Sequence, residues 1–162
     1  MYDYQFSDAA LTAWTVLGQT WIAMYKVSER KLAKLGLTPE KIEVLRACRD
    51  YAAPMIPAEI SRLVFRESQT IAGLLSRMEK EGLVTRVPKR KGRPFTEVKM
   101  TAKGEELCGP GIEAATSLVA KIMSGLSAEE IEQLLKLVRK LRENALEELH
   151  LELLPPPSSA GR

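Results

Sequence analysis

The chain has 162 residues, of which 45% are hydrophobic, 28% charged and 6% aromatic, and 24 Lys+Arg against 21 Asp+Glu leave a net charge of +3. That length supports one domain with its own core, two cysteines are too few for a disulfide scaffold, and no apolar run approaches the ~18 residues that span a bilayer. With Asp3, Asp8 and no basic flank, the N-terminus lacks the form of a signal peptide, so the expectation is a soluble, cytoplasmic protein whose mild charge by itself says little about partners.

Leu11, Trp14, Leu17, Trp21, Met24, Tyr25, Leu32 and Leu35 fall mostly three or four apart, which predicts a helix over residues 7–35. Ser7 is placed to cap it, with Asp8 in the first turn and Gly36 at its end. At ~42 Å such a helix is longer than a domain of this size needs for its own core. Thr38-Pro39-Glu40 starts a second helix, with a capping hydroxyl, Pro at the first position and an acid in the first turn. Its inner face is Ile42, Leu45 and Cys48; residues 51–54 break it. A short helix follows over 57–64 with Ile60, Leu63 and Val64 inward. Ser68 is then placed to cap a helix with the stripe Ile71, Leu74, Leu75 and Met78, ended by Gly82.

The period next shifts to two. Residues 83–87 and 95–100 alternate as short strands around the basic loop Pro88-Lys89-Arg90-Lys91-Gly92-Arg93-Pro94, which makes a hairpin with a charged tip. Thr101 caps a further helix to about Met123, and Gly104, Gly109, Pro110 and Gly111 predict a frayed or kinked first half. Ser127-Ala128-Glu129-Glu130 forms a capping box, opening a regular helix with Ile131, Leu134, Leu135, Val138, Leu141, Ala145 and Leu149 inward. Residues 155–162, beginning Pro155-Pro156-Pro157, are expected to be a disordered tail.

Two short helices followed by a basic hairpin is the winged helix-turn-helix arrangement, so the fold class is mainly α with a small β-hairpin wing. Such a fold reads DNA with its second short helix in the major groove and the wing beside or in the minor groove. Opposite the buried stripe of that helix stand Gln69, Thr70, Gly73, Ser76, Arg77 and Lys80. Gln and Arg suit adenine and guanine edges, Thr70 and Gly73 allow close approach, and Ser68 with the free N–H groups of the helix start suits a phosphate. Residues 83–103 hold Arg86, Lys89, Arg90, Lys91, Arg93, Lys99 and Lys103 against Glu97, a net +6, so everything else sums to −3. Lys91-Gly92-Arg93-Pro94 is also similar to the Gly-Arg-Pro core of AT-hook peptides, which points to Arg93 as an arginine inserted in a narrow minor groove.

Other chemistry is disfavoured. The single histidine, His150, lies among Leu149, Leu151 and Glu152 and is expected to be a solvated helix-surface residue. No Cys/His set has zinc spacing and no glycine-rich phosphate loop occurs. No metal, cofactor or enzymatic activity is expected.

Residues 60–104 resemble the MarR family of transcriptional regulators. The resemblance is carried by Thr70-Ile71, by the run Leu75-Ser76-Arg77-Met78-Glu79-Lys80-Glu81-Gly82-Leu83-Val84-Thr85-Arg86, and by Met100-Thr101-Ala102-Lys103-Gly104 after the wing. Leu37-Thr38-Pro39 and Val44-Leu45 also fit. Two departures stand out: Lys91 occupies the place of an Asp two residues before the wing arginine, and Val64-Phe65-Arg66 lacks the glycine usual at the turn. The resemblance implies a homodimer, with residues 1–36 and 102–154 forming its dimerisation helices and 37–101 the DNA-binding domain. Tyr2, Tyr4 and Phe6 are placed to pack across that seam. It also implies a repressor on a pseudo-palindromic operator, released by a small aromatic or anionic effector, for which Trp14, Trp21, Tyr25, Arg46 and Arg49 are candidate lining residues. Cys48 and Cys108 are expected to be buried, inert thiols. The competing readings are a non-specific architectural DNA-binding protein and a winged-helix protein-interaction module.

Overall fold

A carboxylate rather than a hydroxyl starts the first helix. Asp8 Oδ1 accepts from the N–H groups of Ala10 and Leu11 at 2.7 and 3.3 Å, satisfying two of the donors a helix start leaves open. Asp8 and not Ser7 is therefore the cap of α1 (Ala9–Leu32). The computed structural model describes residues 1–51, 54–88 and 96–155. After a 3-10 turn (Ala33–Leu35), Gly36 ends the segment at φ +70°, a backbone state that glycine adopts without strain.

Thr38 Oγ1 accepts from the Lys41 N–H at 3.3 Å and opens α2 (Pro39–Asp50). The short helix α3 (Pro57–Val64) leads into α4 (Ser68–Lys80). The turn between them has no glycine, and Phe65 takes the left-handed conformation itself, at φ 50°. The Arg66 N–H donates to the Ser61 carbonyl at 3.0 Å, and Ser61 Oγ donates back to the Arg66 carbonyl at 2.5 Å. These bonds hold a conformation that costs a non-glycine residue about 1–2 kcal/mol. Glu67 occupies the cap position of α4 without a side-chain bond, so Ser68 is the first helical residue and not its cap.

Strands β1 (Val84–Val87) and β2 (Glu97–Met100) pair antiparallel, Val84 opposite Met100 and Val87 opposite Glu97. The Val98 N–H also donates to the Met55 carbonyl at 2.8 Å, attaching the segment before α3 to the outer side of the hairpin. Thr101 Oγ1 accepts from the Gly104 N–H at 3.1 Å and opens α5 (Ala102–Met123).

The expected fraying of α5 does not occur: the helix is continuous through Pro110. Two of its glycines serve close packing instead. A Cβ on Gly104 would lie 2.2 Å from the Leu83 carbonyl oxygen, and one on Gly111 would lie 2.5 Å from Ile42 Cδ1. α5 thus presses directly on the hairpin base and on α2. The core between them holds Leu37, Leu45, Ile60, Ile71, Met78, Leu83 and Cys108, all buried.

The capping box of α6 (Ala128–Glu148) forms as expected, with Glu130 N–H to Ser127 Oγ at 3.2 Å and Ser127 N–H to Glu130 Oε2 at 2.7 Å. Its apolar stripe, however, is not inward within the chain. Every α6 residue except the half-buried Leu146 is exposed, Leu141 by 52%. The stripe of α1 behaves alike, with Trp14 exposed by 76% and Trp21 by 60%. His150 is exposed at φ 54°, in the left-handed turn that ends α6, rather than within the helix. No described helix is long and apolar enough to cross a membrane. Of the tail expected at 155–162, only Pro155 lies among the described residues.

Candidate nucleic-acid interface

The 3.6-residue period of α4 decides which of its side chains are available. Ile71, Leu74, Leu75 and Met78 are buried and fasten the helix to the core. Ser68, Gln69, Thr70, Arg77 and Lys80 are exposed, and Gly73 and Ser76 are half-buried. A Cβ on Gly73 would meet only Arg77 Nη1, at 3.8 Å, so packing within the chain does not demand a glycine there. Among the described residues neither Arg77 nor Lys80 has an ion pair, and their charges are open to a ligand.

The other charges around α4 are employed in holding it. Glu79 accepts three hydrogen bonds from Arg86: the backbone N–H to Oε1 at 3.0 Å, and Nε and Nη2 to Oε2 at 2.8 and 2.6 Å. The Arg86 hydrogen bonds hold the Glu79 carboxyl below the usual carboxylate range. Arg86, expected on the DNA face, thereby ties the first strand of the wing to the last turns of α4. Lys41 Nζ pairs with Glu81 Oε2 at 2.7 Å, Lys103 Nζ donates to the Glu81 carbonyl at 2.8 Å, and Lys99 pairs with Glu97 at 3.5 Å. Lys89, Arg90, Lys91 and Arg93 lie outside the described residues.

A cleft of about 650 Å³ runs between the start of α2 and the side of α4. Thr38, Glu40 and Lys41 line one wall, Phe65, Arg66 and Glu67 its end, and Thr70, Leu74 and Arg77 the other wall. At its edge Tyr25 Oη donates to Glu40 Oε1 at 2.6 Å, and Arg66 Nη2 stands 3.9 Å from the same oxygen. Burial pushes the Glu40 carboxyl up, but bonds from Tyr25, its own N–H and Thr38, with the charge of Arg66, bring it below the ordinary value. Sequence periodicity places Tyr25 and Arg66 on their helix and turn but carries no sign of this pairing across three elements. The Glu79–Arg86 pair is equally invisible to it, because seven residues separate its members across a change of period.

The residues expected to line an effector site fall on α1 and α2. The rings of Trp21 and Tyr25 lie 6.3 Å apart, while Arg46 and Arg49 both pair with Asp50, at 3.5 and 2.8 Å. Arg46 lines a small cavity of about 130 Å³ with Tyr51 and Ile60, and none of the five lines the larger cleft. Cys108 is buried and Cys48 half-buried; burial, then Cys108, push the Cys48 thiol up to about 11, the opposite of what a reactive thiolate requires. Among the described residues no group of three His, Cys, Asp or Glu is placed to hold a metal ion.

No protein-family model matches the sequence. The structure is similar to that of an organohalide-sensing transcriptional regulator in its ligand-free form, with TM-score 0.78, 21% identity and 96% of each chain covered. The 2,4-dichlorophenol-bound form of that regulator gives TM-score 0.76 at 21% identity over 96% of this chain and 97% of that one. AbsC, a MarR-family transcriptional regulator from Streptomyces coelicolor, gives 0.77 at 18% identity over 88% and 97%. The S. aureus MepR–DNA complex gives 0.73 at 18% identity over 85% and 99%.

Proposed function

We propose that this chain, which has the winged-helix fold of MarR-family transcriptional regulators, is a homodimeric, sequence-specific DNA-binding regulator acting as a repressor on a pseudo-palindromic operator. The observation that carries the reading is the division of α4: Ile71, Leu74, Leu75 and Met78 are buried, while Gln69, Thr70, Arg77 and Lys80 are exposed beside a hairpin with a basic loop. In this reading Gln69 and Arg77 reach base edges in the major groove. Ser68 and the α4 start meet a phosphate, and Gly73 admits close approach. Lys89, Arg90, Lys91 and Arg93 of the basic loop supply phosphate contacts and a minor-groove arginine. The MepR–DNA complex among the structural neighbours supports a nucleic-acid partner.

The dimer reading rests on exposed apolar surface. Trp14, Leu17, Trp21 and Ile22 of α1 and Leu134, Leu137, Val138 and Leu141 of α6 lie uncovered in one chain, and exposed apolar residues grouped in this way mark interaction surfaces. A partner chain on residues 1–36 and 102–154 covers it and leaves residues 37–101 to read DNA. The two recognition helices then meet successive major grooves about 34 Å apart. The neighbour that binds 2,4-dichlorophenol makes small aromatic compounds the effector class to test, with Trp21 and Tyr25 as the first residues to vary. The protein works in the cytoplasm and has no catalytic step.

Titration against its own upstream DNA and a scrambled duplex, at two salt concentrations, tests the reading. Specific binding exceeding non-specific by about a thousandfold or more is expected. A ratio near one points to an architectural protein, and no binding at either salt points to a protein-interaction module.

A further inference from the structure

We propose that Tyr25, Glu40 and Arg66 form a positioning relay through which α1 sets the seat of the recognition helix α4. Its consequence for DNA affinity rests on the function proposed above; the relay itself does not.

The three residues come from three separate parts of the chain and meet at one oxygen. Glu40 Oε1 accepts from the Tyr25 hydroxyl at 2.6 Å and lies 3.9 Å from Arg66 Nη2. A 2.6 Å O–H···O⁻ bond belongs to the strong, charge-assisted class. Glu40 is also in the first turn of α2, where the unpaired N–H groups favour a carboxylate. Its position is therefore fixed by its own helix, and it gives Tyr25 and Arg66 a common anchor. Burial and the acids Glu40 and Glu29 add to the Tyr25–Glu40 bond in pushing the tyrosine up to about 12, so Tyr25 remains a donor throughout the neutral range.

Each end of the relay is attached to something that can respond. At one end Trp21, exposed by 60% in the unpartnered stripe of α1, has its ring 6.3 Å from that of Tyr25. In this relay, a group seated on Trp21 acts on Tyr25 through that ring contact. At the other end Arg66 belongs to the strained turn at Phe65 and is held to Ser61 by two backbone-directed bonds. The next residue, Glu67, accepts at its carbonyl the first backbone bond of α4, from the Ile71 N–H at 3.1 Å. A shift of Arg66 thus reaches Ser68, Gln69 and Thr70 directly. Glu40 and Arg66 share the lining of the cleft of about 650 Å³ with Thr70 and Arg77 of α4.

The test uses the full chain and two readouts. Amide hydrogen exchange of Arg66 and Ile71–Leu74 is followed in the parent and in Tyr25→Phe, which removes the donor and keeps the ring. Exchange there is expected to quicken about three- to tenfold, the range for losing one partly exposed bond to a charged group. Exchange in β1, β2 and α5 should stay as it was. Unchanged exchange at Arg66 and Ile71–Leu74, or a uniform rise over the whole chain, overturns the relay. The second readout is affinity for the upstream DNA in a double-mutant cycle. Tyr25→Phe should weaken binding about three- to tenfold in the parent and less than about twofold in the Glu40→Ala background, which leaves no acceptor at that position; equal losses in both backgrounds overturn it. If the parent binds no DNA and local exchange still responds, the relay stands and the DNA-binding reading falls.

Discussion

Replacing Gly73 by alanine sets stability against DNA binding in one substitution. Gly73 lies in the interior of α4, where glycine costs about 1 kcal/mol relative to alanine because the unfolded chain is freer. The new Cβ meets nothing but Arg77 Nη1 at 3.8 Å, an ordinary contact with the end of a flexible side chain. Nothing in the chain opposes the helical gain, so stability should rise by roughly 1 kcal/mol and the melting temperature by about 2–4 °C. On DNA the sign reverses. Position 73 shares a helical face with Gln69, Ser76 and Lys80, and a methyl group pressed between backbone and base edges costs about 1–3 kcal/mol, or about fivefold to a hundredfold in affinity. Thermal melts and operator titrations on the same preparation separate the two effects. A variant that melts lower refutes the packing argument. One that melts higher and binds as tightly as the parent removes this face of α4 from the DNA.

Gly104→Ala should do the opposite to stability, because its Cβ would lie 2.2 Å from the Leu83 carbonyl oxygen, a backbone atom that cannot rotate away. A loss of about 2 kcal/mol or more is expected in denaturant melts, and a neutral result would show that α5 stands farther from the hairpin. Glu79→Gln bears on pH. The Glu79 carboxyl is held below its ordinary 4.5 by Arg86, so its contribution is complete above that value and is lost as pH falls below it. The variant should be less stable than the parent at neutral pH, with the gap closing below 4.5; a gap independent of pH would assign the loss to something other than ionisation. Leu141→Glu places a charge on the exposed stripe of α6. Light scattering should find it monomeric and circular dichroism still helical, whereas an intact dimer would move the seam elsewhere.

The legibility of this chain from sequence follows the range of the forces involved. The caps Thr38, Thr101 and Ser127 and the ends at Gly36 and Gly82 act within a turn, and all five are readable from neighbouring residues. The buried stripe of α4 is readable because one period of 3.6 fixes it. The glycines of α5 mislead, since propensity treats Gly104 and Gly111 as breakers while tertiary contact with Leu83 and Ile42 makes them necessary. The stripe of α6 has the right period, yet period alone does not say what covers it, and within the chain nothing does. Phe65 in the left-handed region shows the same limit at one residue: strain there is offset by bonds to Ser61 and Arg62. Arg66, Glu40 and Glu79 do not stand out as site residues in the sequence because only the fold brings their partners within reach.

The charge along the chain takes on a different meaning once these pairs are known. The net +6 of residues 83–103 overstates the field offered to a phosphate. Arg86 is neutralised by Glu79, which lies outside that segment, and Lys103 is directed at a carbonyl of the α4 terminus, while the Lys99–Glu97 pair already cancels within the count. In the proposed function these acids and bases hold the DNA-binding domain together, and meeting DNA is assigned to Arg77, Lys80 and the loop residues Lys89, Arg90, Lys91 and Arg93. The distinction is measurable through counterion release, where each neutralised phosphate adds about 0.9 to the slope of log affinity against log salt. Arg90→Gln should lower that slope by about 0.9 for each phosphate it no longer neutralises. Arg86→Gln should lower stability and affinity together, because the hairpin is loosened from α4, and leave the slope unchanged. A reduced slope for Arg86→Gln would mean that the arginine leaves Glu79 for a phosphate when DNA binds.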